Sequence, residues 1–311
     1  MINQFLQREA PRPARAGALG YTGLLLLSLP LCGLAQQGGA RIERSIDAVV
    51  APRISLTNLT GHVVVRGWDK LRIHLVSTTS SPRVEMEMEA MPANGPAEKL
   101  RVDTHAQDST LSAKEKVADY LLEVPLASSL DLHNFEGDVQ VQRLQGDVGI
   151  ESYGAPIEVD DVSGHLAVRS LAGDIRISRS AGRVEANSVC GSLFFISPTG
   201  TDLRASTTSG KIVFEGDFVP AADYQLSTWN GNMDVFTSPN GSFELVAKSI
   251  KGKVVRDPEV PLRSKLRRPA AYPGTNTLMG TSNAGKATVE LNSFSGSIHI
   301  NPLSHRDNDG R

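Results

Sequence analysis

A nine-residue repeat marked by glycine dominates the middle of the chain, from Phe135 to about Phe214. The marker positions are Gly137, Gly146, Ala155, Gly164, Gly173, Gly182, Gly191 and Gly200, with Gly210 one residue late. Around most markers, apolar residues recur two positions before the marker and two and four positions after it. The clearest copies are Phe135/Val139/Val141, Leu144/Val148/Ile150, Val162/Leu166/Val168 and Leu171/Ile175/Ile177. An internal repeat of this kind indicates stacked copies of one small structural unit.

The spacing inside each unit predicts a β-strand with one apolar face. Side chains alternate across a strand, so the residue two before the marker, the marker and the residues two and four after it share a face. Glycine on that face allows a bend or a close backbone approach. Because nine is odd, a polar pair must form a corner that resets the alternation. The predicted corner pairs are Gln142-Arg143, Glu151-Ser152, Asp160-Asp161, Arg169-Ser170, Ser178-Arg179 and Asn187-Ser188.

These features predict an all-β, single-domain β-solenoid, resembling a β-helix, with about two strands per coil. A single unit cannot bury its own apolar row, whereas stacked units can. An antiparallel meander is the alternative. Charges leave the stacking open, because Glu158/Arg176 and Glu185/Arg204 would pair two units apart and Arg176/Glu185 one unit apart. Gly210, Gly231 and Gly252 continue the repeat at a spacing of 21, which favours two strands per coil.

The start of the chain predicts export. Arg8, Arg12 and Arg15 precede an apolar run, Tyr21 to Leu31, and Gly33-Leu34-Ala35 offers the small residues that a signal peptidase recognises. The run is short for a transmembrane helix. We therefore predict a cleaved signal peptide and a periplasmic or surface location. A lipid on Cys32 is the alternative, less favoured because Pro30 and Leu31 precede that cysteine.

Six segments follow from these patterns. They are residues 1–35, the signal peptide; 36–130, an N-terminal β segment; 131–256, the solenoid repeats; 257–282, a basic insertion rich in proline; 283–302, closing repeats; and 303–311, a disordered tail. After signal cleavage Cys190 is the single cysteine, so no intrachain disulfide can form, and its role is open between a turn residue and a reactive thiol. The net charge of −2 argues against nucleic acid as a partner.

Several motifs resemble a known family. Gly61-His62-Val63-Val64-Val65-Arg66-Gly67-Trp68-Asp69, the Ser-x-x-Gly-x-Val-x-Val repeats and the closing Phe294-Ser295-Gly296-Ser297-Ile298 are similar to the bacterial putative adhesin family of β-strand-repeat envelope proteins, a domain of unknown function. The resemblance covers nearly all of the mature chain. It implies a right-handed β-helix-like fold in an exported protein, associated with adhesion or envelope stress, and no catalytic residues. Ala155 at a marker position and the insertion rich in proline depart from the family pattern.

Two kinds of site, one for calcium and one for carbohydrate cleavage, occur on β repeats. A calcium-binding β-roll needs a column of carboxylates, but the residues after the markers include Pro156, His165 and Arg183. A β-helix glycosidase or lyase needs clustered carboxylates, and only Asp160-Asp161, with Glu158 nearby, offers acidic neighbours. We predict no catalytic, cofactor-binding or metal-binding residue and a protein that is not an enzyme. A carbohydrate-active β-helix enzyme is the alternative.

The remaining features suggest binding. Phe194 marks either a sticky outer patch or a strand buried on both faces, and Trp68 and Trp229 serve either as sugar-stacking platforms or as caps of the core. The basic loop from Arg263 to Arg268 is either a solvated loop or a contact for anionic lipid or lipopolysaccharide. The predicted function is an adhesin-like envelope module presenting its repeat face to an envelope glycan, lipopolysaccharide or another surface protein. A periplasmic envelope-stress accessory protein is a further alternative.

Overall fold

The computed structural model describes residues 39–108, 110–264 and 276–303, and these residues form an all-β protein. They contain 23 strands and one 3-10 turn, Ala113–Glu115, and no α-helix lies within them. Accordingly, no helix in the described ranges has the length and hydropathy needed to cross a membrane. The predicted signal peptide, Cys32, most of the basic loop and nearly all of the predicted tail lie outside the described residues.

The strands are short, and most carry alternating buried and exposed side chains. In chain order they are β1 (Arg41–Thr60), β2 (Val63–Trp68), β3 (Arg72–Thr79), β4 (Val84–Met91), β5 (Ala97–Ala106), β6 (Ala118–Pro125), β7 (Ser129–Glu136), β8 (Val139–Leu144), β9 (Val148–Ser152), β10 (Ile157–Ser170), β11 (Ile175–Ser178), β12 (Ala181–Ser188), β13 (Leu193–Ile196), β14 (Asp202–Thr207), β15 (Ile212–Glu215), β16 (Asp223–Thr228), β17 (Met233–Thr237), β18 (Phe243–Ser249), β19 (Val254–Arg256), β20 (Arg263–Ser264), β21 (Asn276–Ser282), β22 (Ala287–Ser293) and β23 (Ile298–Pro302).

Consecutive strands of the repeats lie in two different sheets. Sheet A runs β1-β3-β6-β2-β8-β10-β11-β13-β15-β17-β23-β19, and sheet B runs β4-β5-β1-β7-β9-β10-β12-β14-β16-β22-β18-β21-β20. The long strands β1 and β10 contribute to both sheets, so all 23 strands form one hydrogen-bonded network. We call one strand of sheet B and the following strand of sheet A a rung.

The register resolves how the repeat units stack. Within the repeats all strand pairs are parallel, and Ile157 pairs with Ile175, two units further along the chain. The spacing lengthens to 21 residues where Leu203 pairs with Tyr224. Two units therefore make one rung, as the 21-residue spacing predicted, and the antiparallel meander is wrong for these residues. Glu158/Arg176 and Glu185/Arg204 are register neighbours.

The apolar core lies between the two sheets, on the face that the repeat predicted. Residues two and four positions after the markers are buried, with relative exposures of 0% at Val139, Val141, Ile175 and Ile177. Gly200 is the exception, because there the buried residues, Leu203 and Ala205, lie three and five positions after the marker. Where the rungs lengthen, rings fill the added space. Phe218 packs against Phe214, Tyr224 and Phe243 with centroid separations of 4.8 to 4.9 Å. The core is therefore continuous along the repeats.

The prediction for the residue two before the marker is correct at one corner of the rung and wrong at the other. Leu144 and Val162, which precede strands of sheet B, are buried. Phe135 and Leu171, which precede strands of sheet A, are 42% and 48% exposed. After sheet B the chain makes a turn that places two residues outward between a buried serine and the next inward glycine, so simple alternation does not apply there.

The two corners also differ in backbone conformation. After sheet A the second residue of the predicted pair is left-handed, with φ of 57° at Arg143, 55° at Asp161 and 49° at Arg179. Those pairs are corners, as predicted. After sheet B the corner prediction was wrong by one residue, because Ser170 and Ser188 are the buried last residues of their strands. Their side chains face inward, and the chain turns only after them.

Glycine is required where rungs stack at the corner before sheet A. A Cβ on Gly191 would lie 2.0 Å from the carbonyl oxygen of Gly173, and one on Gly210 would lie 2.1 Å from that of Gly191. Non-bonded atoms cannot approach this closely, so only glycine fits at these markers, and they form a ladder of close backbone approaches, as the sequence predicted. The ladder continues from Gly231 to Gly296 and then to Gly252.

Both ends of the stack have a topology that the sequence did not predict. The closing repeats, β22 and β23, lie between the β16-β17 rung and the β18-β19 rung instead of after them. At the other end, β1 and β2 lie between β5-β6 and β7-β8. The segment predicted as an insertion, residues 257–282, contributes β20 and β21, and β21 pairs antiparallel with β18. At the other end of the stack, β3 pairs antiparallel with β6 and β4 pairs antiparallel with β5, so these two strands cover the β5-β6 rung.

Candidate functional site

A line of mostly apolar side chains, each exposed or half-buried, runs along the corner that follows sheet B. Each member comes directly after a buried polar residue that ends the inward alternation of its sheet B strand. We call this line the apolar ridge. In rung order its members are Leu59, Phe135, Tyr153, Leu171, Val189, Thr208, Trp229, Phe294 and Ile250.

Backbone hydrogen bonds hold the ridge residues in register. The N–H of Leu171 donates to the carbonyl of Ser152, and the N–H of Cys190 donates to the carbonyl of Leu171. The same pattern links Asn230 to Thr208 and Ser295 to Trp229. Because adjacent strands lie about 4.8 Å apart, nine rungs give a ridge of about 38 Å. The ridge is therefore long and one side chain wide.

Exposed apolar side chains are concentrated on this ridge. Ten large apolar side chains in the described ranges are exposed, and six of them are ridge members: Phe135, Tyr153, Leu171, Val189, Trp229 and Ile250. The most exposed of the six are Tyr153 at 58% and Trp229 at 55%. Single exposed apolar residues are ordinary, but contiguous rows of them mark binding surfaces.

Ring stacking orders the aromatic members. Phe135 and Tyr153 stack with centroids 5.0 Å apart and an interplanar angle of 11°. Trp229 and Phe294 stack at 4.1 Å and 5°, and the Nζ of Lys251 lies 4.8 Å from the centroid of Phe294. Stacked pairs of this kind contribute about 0.5–1.5 kcal/mol beyond the area they bury. The rings are consequently held in place before any partner arrives.

A buried polar ladder lies immediately behind the ridge. The N–H of Gly173 donates to the Oγ of Ser170 at 2.8 Å, and the N–H of Gly296 donates to that of Ser293 at 2.9 Å. Thr207 uses its hydroxyl differently and donates to the carbonyl of Gly191, one rung away, at 2.9 Å. These bonds fix the Ser-x-x-Gly turn, which is what turns the intervening apolar residue outward.

A cleft opens on the outer face of sheet B beside Trp229. Its volume is about 350 Å³, and its lining combines the rings of Trp229 and Phe294 with Ser206, Ser227 and Asn292. A second cleft of about 250 Å³ adjoins it and shares the last three residues. The lining of the second cleft adds side-chain amides and charges from Asn187, Arg204, Gln225 and Glu290. Here the ridge borders a pair of clefts whose combined lining is both aromatic and polar.

Ion pairs occupy several of the surface carboxylates. Asp160 pairs with Arg179, and Asp202 lies 3.2 Å from both Arg183 and Arg204. Asp161, beside Asp160, is exposed and has a left-handed backbone at the corner. The predicted acidic neighbours therefore lie on a turn, one of them engaged by an arginine. Within the described ranges, no group of three or more His, Cys, Asp or Glu side chains could hold a metal ion.

One histidine in the N-terminal rungs has a shifted titration. The Nδ1 of His74 lies 3.0 Å from Glu123, and its Nε2 lies 3.1 Å from Glu43. Hydrogen bonds to Glu123 and then Glu43 raise the pKa of His74 above its ordinary 6.5. Trp68 stacks on the His74 ring at 6.3 Å and donates through its Nε1 to the carbonyl of Arg72. Trp68 is therefore part of this local network, away from the ridge.

The other residues singled out in the sequence lie on outer surfaces. Phe194 is half-buried, and Arg176 and Lys211 lie 4.9 and 5.1 Å from its ring centroid, while its neighbours Leu193 and Phe195 are buried. The strand is thus buried on one face, and the interpretation as a strand buried on both faces was wrong. Cys190 is exposed on the turn next to the ridge residue Val189.

The ridge residues stand out in the sequence, but the prediction that they face the core was wrong. Phe135, Tyr153, Leu171 and Val189 recur at every second unit, 18 residues apart. Large apolar residues recur inside the Ser-x-x-Gly turns, while the next strand already supplies the inward apolar residues. This combination indicates that the residues in the turns face outward. Of the two tryptophans, only Trp229 is placed on this surface.

Comparisons with known proteins give two structural neighbours. No family model matches the chain, and no curated protein matches it. A putative cell adhesion protein from Clostridium sporogenes is 10% identical, with 85% of this chain and 99% of that chain covered at a TM-score of 0.30. A putative adhesin from Bacteroides fragilis is 11% identical, with 84% and 97% covered at a TM-score of 0.41. The family expected from the sequence stays a prediction.

Proposed function

We propose that the protein is an exported, non-enzymatic β-solenoid that acts as an adhesin-like binding module of the bacterial envelope. The observation that carries this proposal is the apolar ridge, in which eight of nine successive rungs carry an aromatic or aliphatic side chain. The parallel rungs, each made of one strand from each sheet, support the solenoid. Export follows from the signal peptide predicted over residues 1–35.

The shape of the ridge favours an extended partner. A row about 38 Å long and one side chain wide matches a linear chain better than the broad face of a globular protein. The aromatic rings of the ridge offer surface that a partner can cover at little cost in side-chain entropy. Stacking already restricts them, because Phe135 packs on Tyr153 and Trp229 packs on Phe294. Polymers of the bacterial envelope are extended in this way.

Co-sedimentation with isolated bacterial envelopes tests the ridge. The variant carries Phe135→Ser, Tyr153→Ser and Leu171→Ser, and the matched control carries Val50→Ser, Leu71→Ser and Val255→Ser, which removes three exposed apolar residues away from the ridge. We expect the control to pellet like the unaltered protein and the ridge variant to lose about tenfold or more in affinity, the result of about 1.4 kcal/mol. Equal binding by both variants would refute the ridge as the binding surface.

Two further measurements test the rest of the proposal. Protease treatment of intact cells, with a periplasmic protein as control, separates a surface location from a periplasmic one. Loss of the protein with the control intact supports an adhesin, and survival until the outer membrane is opened supports a periplasmic envelope module. Release of new reducing ends from the envelopes would contradict the non-enzymatic assignment.

A further inference from the structure

We infer that the cleft beside Trp229 binds a hexopyranose unit of a glycan, an inference that rests on the ridge being the binding surface. The site is the pair of adjoining clefts on sheet B, with Trp229 as the stacking ring. Its hydrogen-bonding groups are the side chains of Ser206, Ser227 and Asn292, which both clefts share. The remaining ridge would then contact the neighbouring part of the same polymer.

The indole of Trp229 has one face available for a ligand. Phe294 covers the other face, with ring centroids 4.1 Å apart and nearly parallel planes. The rung on the open side carries Thr208, the one ridge member that is neither aromatic nor aliphatic, and its side chain is too small to cover an indole. A pyranose ring has an apolar face of C–H groups that stacks on such a surface. The break in the apolar row thus exposes a platform.

The groups around the platform match sugar hydroxyls. Ser206 donates through its Oγ to Asn187 at 2.6 Å, so its oxygen can still accept a hydrogen bond. Asn292 donates one amide hydrogen to Glu290 at 2.9 Å, and its amide has a second hydrogen and a carbonyl oxygen. Hydroxyls and primary amides both donate and accept, as each hydroxyl of a sugar does.

Charge in the cleft favours a neutral ligand over a phosphate or a nucleic acid. Arg204 is engaged by Asp202 at 3.2 Å, and the carboxylate of Glu290 lines the second cleft. Lys248, which lines the first cleft, is exposed to solvent. A polyanion would meet the Glu290 carboxylate, and the Arg204 guanidinium, the fork in the cleft suited to bidentate phosphate binding, is already paired with Asp202. A neutral hydroxylated ring meets no such opposition.

The size of the clefts fits more than one sugar. Ligand pockets typically fall between about 300 and 1,000 Å³. The first cleft, at about 350 Å³, is within that range, and the second adds about 250 Å³ along the strands. An oligosaccharide can therefore place one ring on Trp229 and the next over Gln225 and Arg204.

Tryptophan fluorescence reports directly on this site. The chain has two tryptophans, so a Trp68→Phe variant leaves Trp229 as the only one. The probes are the β-1,4-linked hexamers of N-acetylglucosamine and of glucose, each titrated to millimolar concentration. We expect a saturable change in intensity or emission maximum with at least one hexamer. Asn292→Ala should then weaken the affinity about tenfold, since it removes the amide that both donates to and accepts from sugar hydroxyls.

The controls separate this inference from the proposed function. Glu158→Ala, on the outer face of sheet A, should leave the titration unchanged. Affinity electrophoresis of the unaltered protein and of Trp229→Ala through gels containing hydroxyethyl cellulose or glycol chitosan is a second measurement, independent of the Trp68 substitution. Retardation that is lost in Trp229→Ala supports the site.

Two outcomes overturn the inference. One is the absence of any saturable change with both hexamers together with equal mobility of Trp229→Ala and unaltered protein in both gels. The other is binding that Trp229→Ala and Asn292→Ala leave intact. If envelopes are still bound through Phe135, Tyr153 and Leu171 in either case, the ridge function stands and only the sugar site is refuted. If envelope binding is absent as well, both proposals fail.

Discussion

The backbone N–H of Gly191 donates to the Oγ of Ser188 at 2.8 Å, and this bond closes the turn that carries the ridge residue Val189. Ser188 is buried, and Val189 and Cys190 between the two partners are exposed. The serine therefore does two things: it satisfies a buried backbone donor and it sets the number of residues in the turn. Outward display of the ridge depends on this local bond.

The bond at Ser188 predicts different results for two buried serines. Ser188→Ala leaves the N–H of Gly191 without its acceptor and should destabilise the protein by about 1–3 kcal/mol. Ser180 is fully buried and has an Oγ without a hydrogen-bond partner, so Ser180→Ala should be neutral or slightly stabilising. Thermal unfolding followed by circular dichroism distinguishes them. A lower midpoint for Ser180→Ala than for Ser188→Ala would contradict the assignment.

Stacked glycines give a second prediction. Gly191→Ala would place a Cβ 2.0 Å from the carbonyl oxygen of Gly173, which is backbone and cannot rotate away. The rungs must separate locally, at a cost of about 1–3 kcal/mol, which for a domain of this size lowers the melting temperature by several degrees. Gly154→Ala is the control, because a Cβ there meets nothing within 4 Å. Equal melting temperatures for the two variants would show that the rungs are not held this closely.

How far the sequence predicts this fold depends on which interactions decide each feature. The inward residues Val139 and Ile175 were predictable, because burial of alternate side chains follows from strand geometry and from the glycine spacing. The outward direction of Phe135 was not predictable. A hydrogen-bonded turn interrupts the alternation there, and an apolar side chain at that position can face either the core or the solvent. Corners with a left-handed residue, such as Arg143, fell where polar pairs indicated.

The order of the rungs lay beyond local sequence. Gly252 follows Gly231 by 21 residues, the same spacing that separates Gly231 from Gly210. In the fold, however, Gly296 lies between Gly231 and Gly252. Every rung has the same apolar pattern, so local propensity does not choose which neighbour β22 joins. That choice rests on long-range strand pairing. The cleft beside Trp229 was likewise unpredictable, since β22 brings Asn292 and Phe294 to it from a distant part of the chain.

Titration of His74 predicts a pH dependence in the N-terminal rungs. The pKa of His74 is raised by its hydrogen bonds to Glu123 and Glu43, so the protonated ring stabilises the folded state. That contribution is complete below the unfolded pKa, near 6.5, and is lost as the pH rises through the raised folded value. The melting temperature of the unaltered protein should therefore fall, relative to that of His74→Gln, as the pH rises from below 6.5.

A second histidine serves as the control for loss of an imidazole. The His105 side chain is 62% exposed and lies 3.7 Å from Glu87, and an exposed pair of this kind contributes little, so His105→Gln should leave the melting temperature nearly unchanged. Parallel profiles for the unaltered protein and His74→Gln would show that the ion pairs of His74 do not contribute to stability.

Two phenylalanines should separate stability from binding. Phe195 is buried at 1% exposure, and Phe195→Ala should cost about 3–5 kcal/mol through lost contacts and the cavity left behind. Phe135 is 42% exposed and stacks on Tyr153, so Phe135→Ala should cost about 1 kcal/mol or less. Denaturant midpoints measure both changes, and co-sedimentation with envelopes at a temperature where both variants are folded measures binding. Because the ridge contributes little to folding, Phe135→Ala should weaken envelope binding while Phe195→Ala leaves it intact, and the reverse pattern would show that the ridge is only part of the fold.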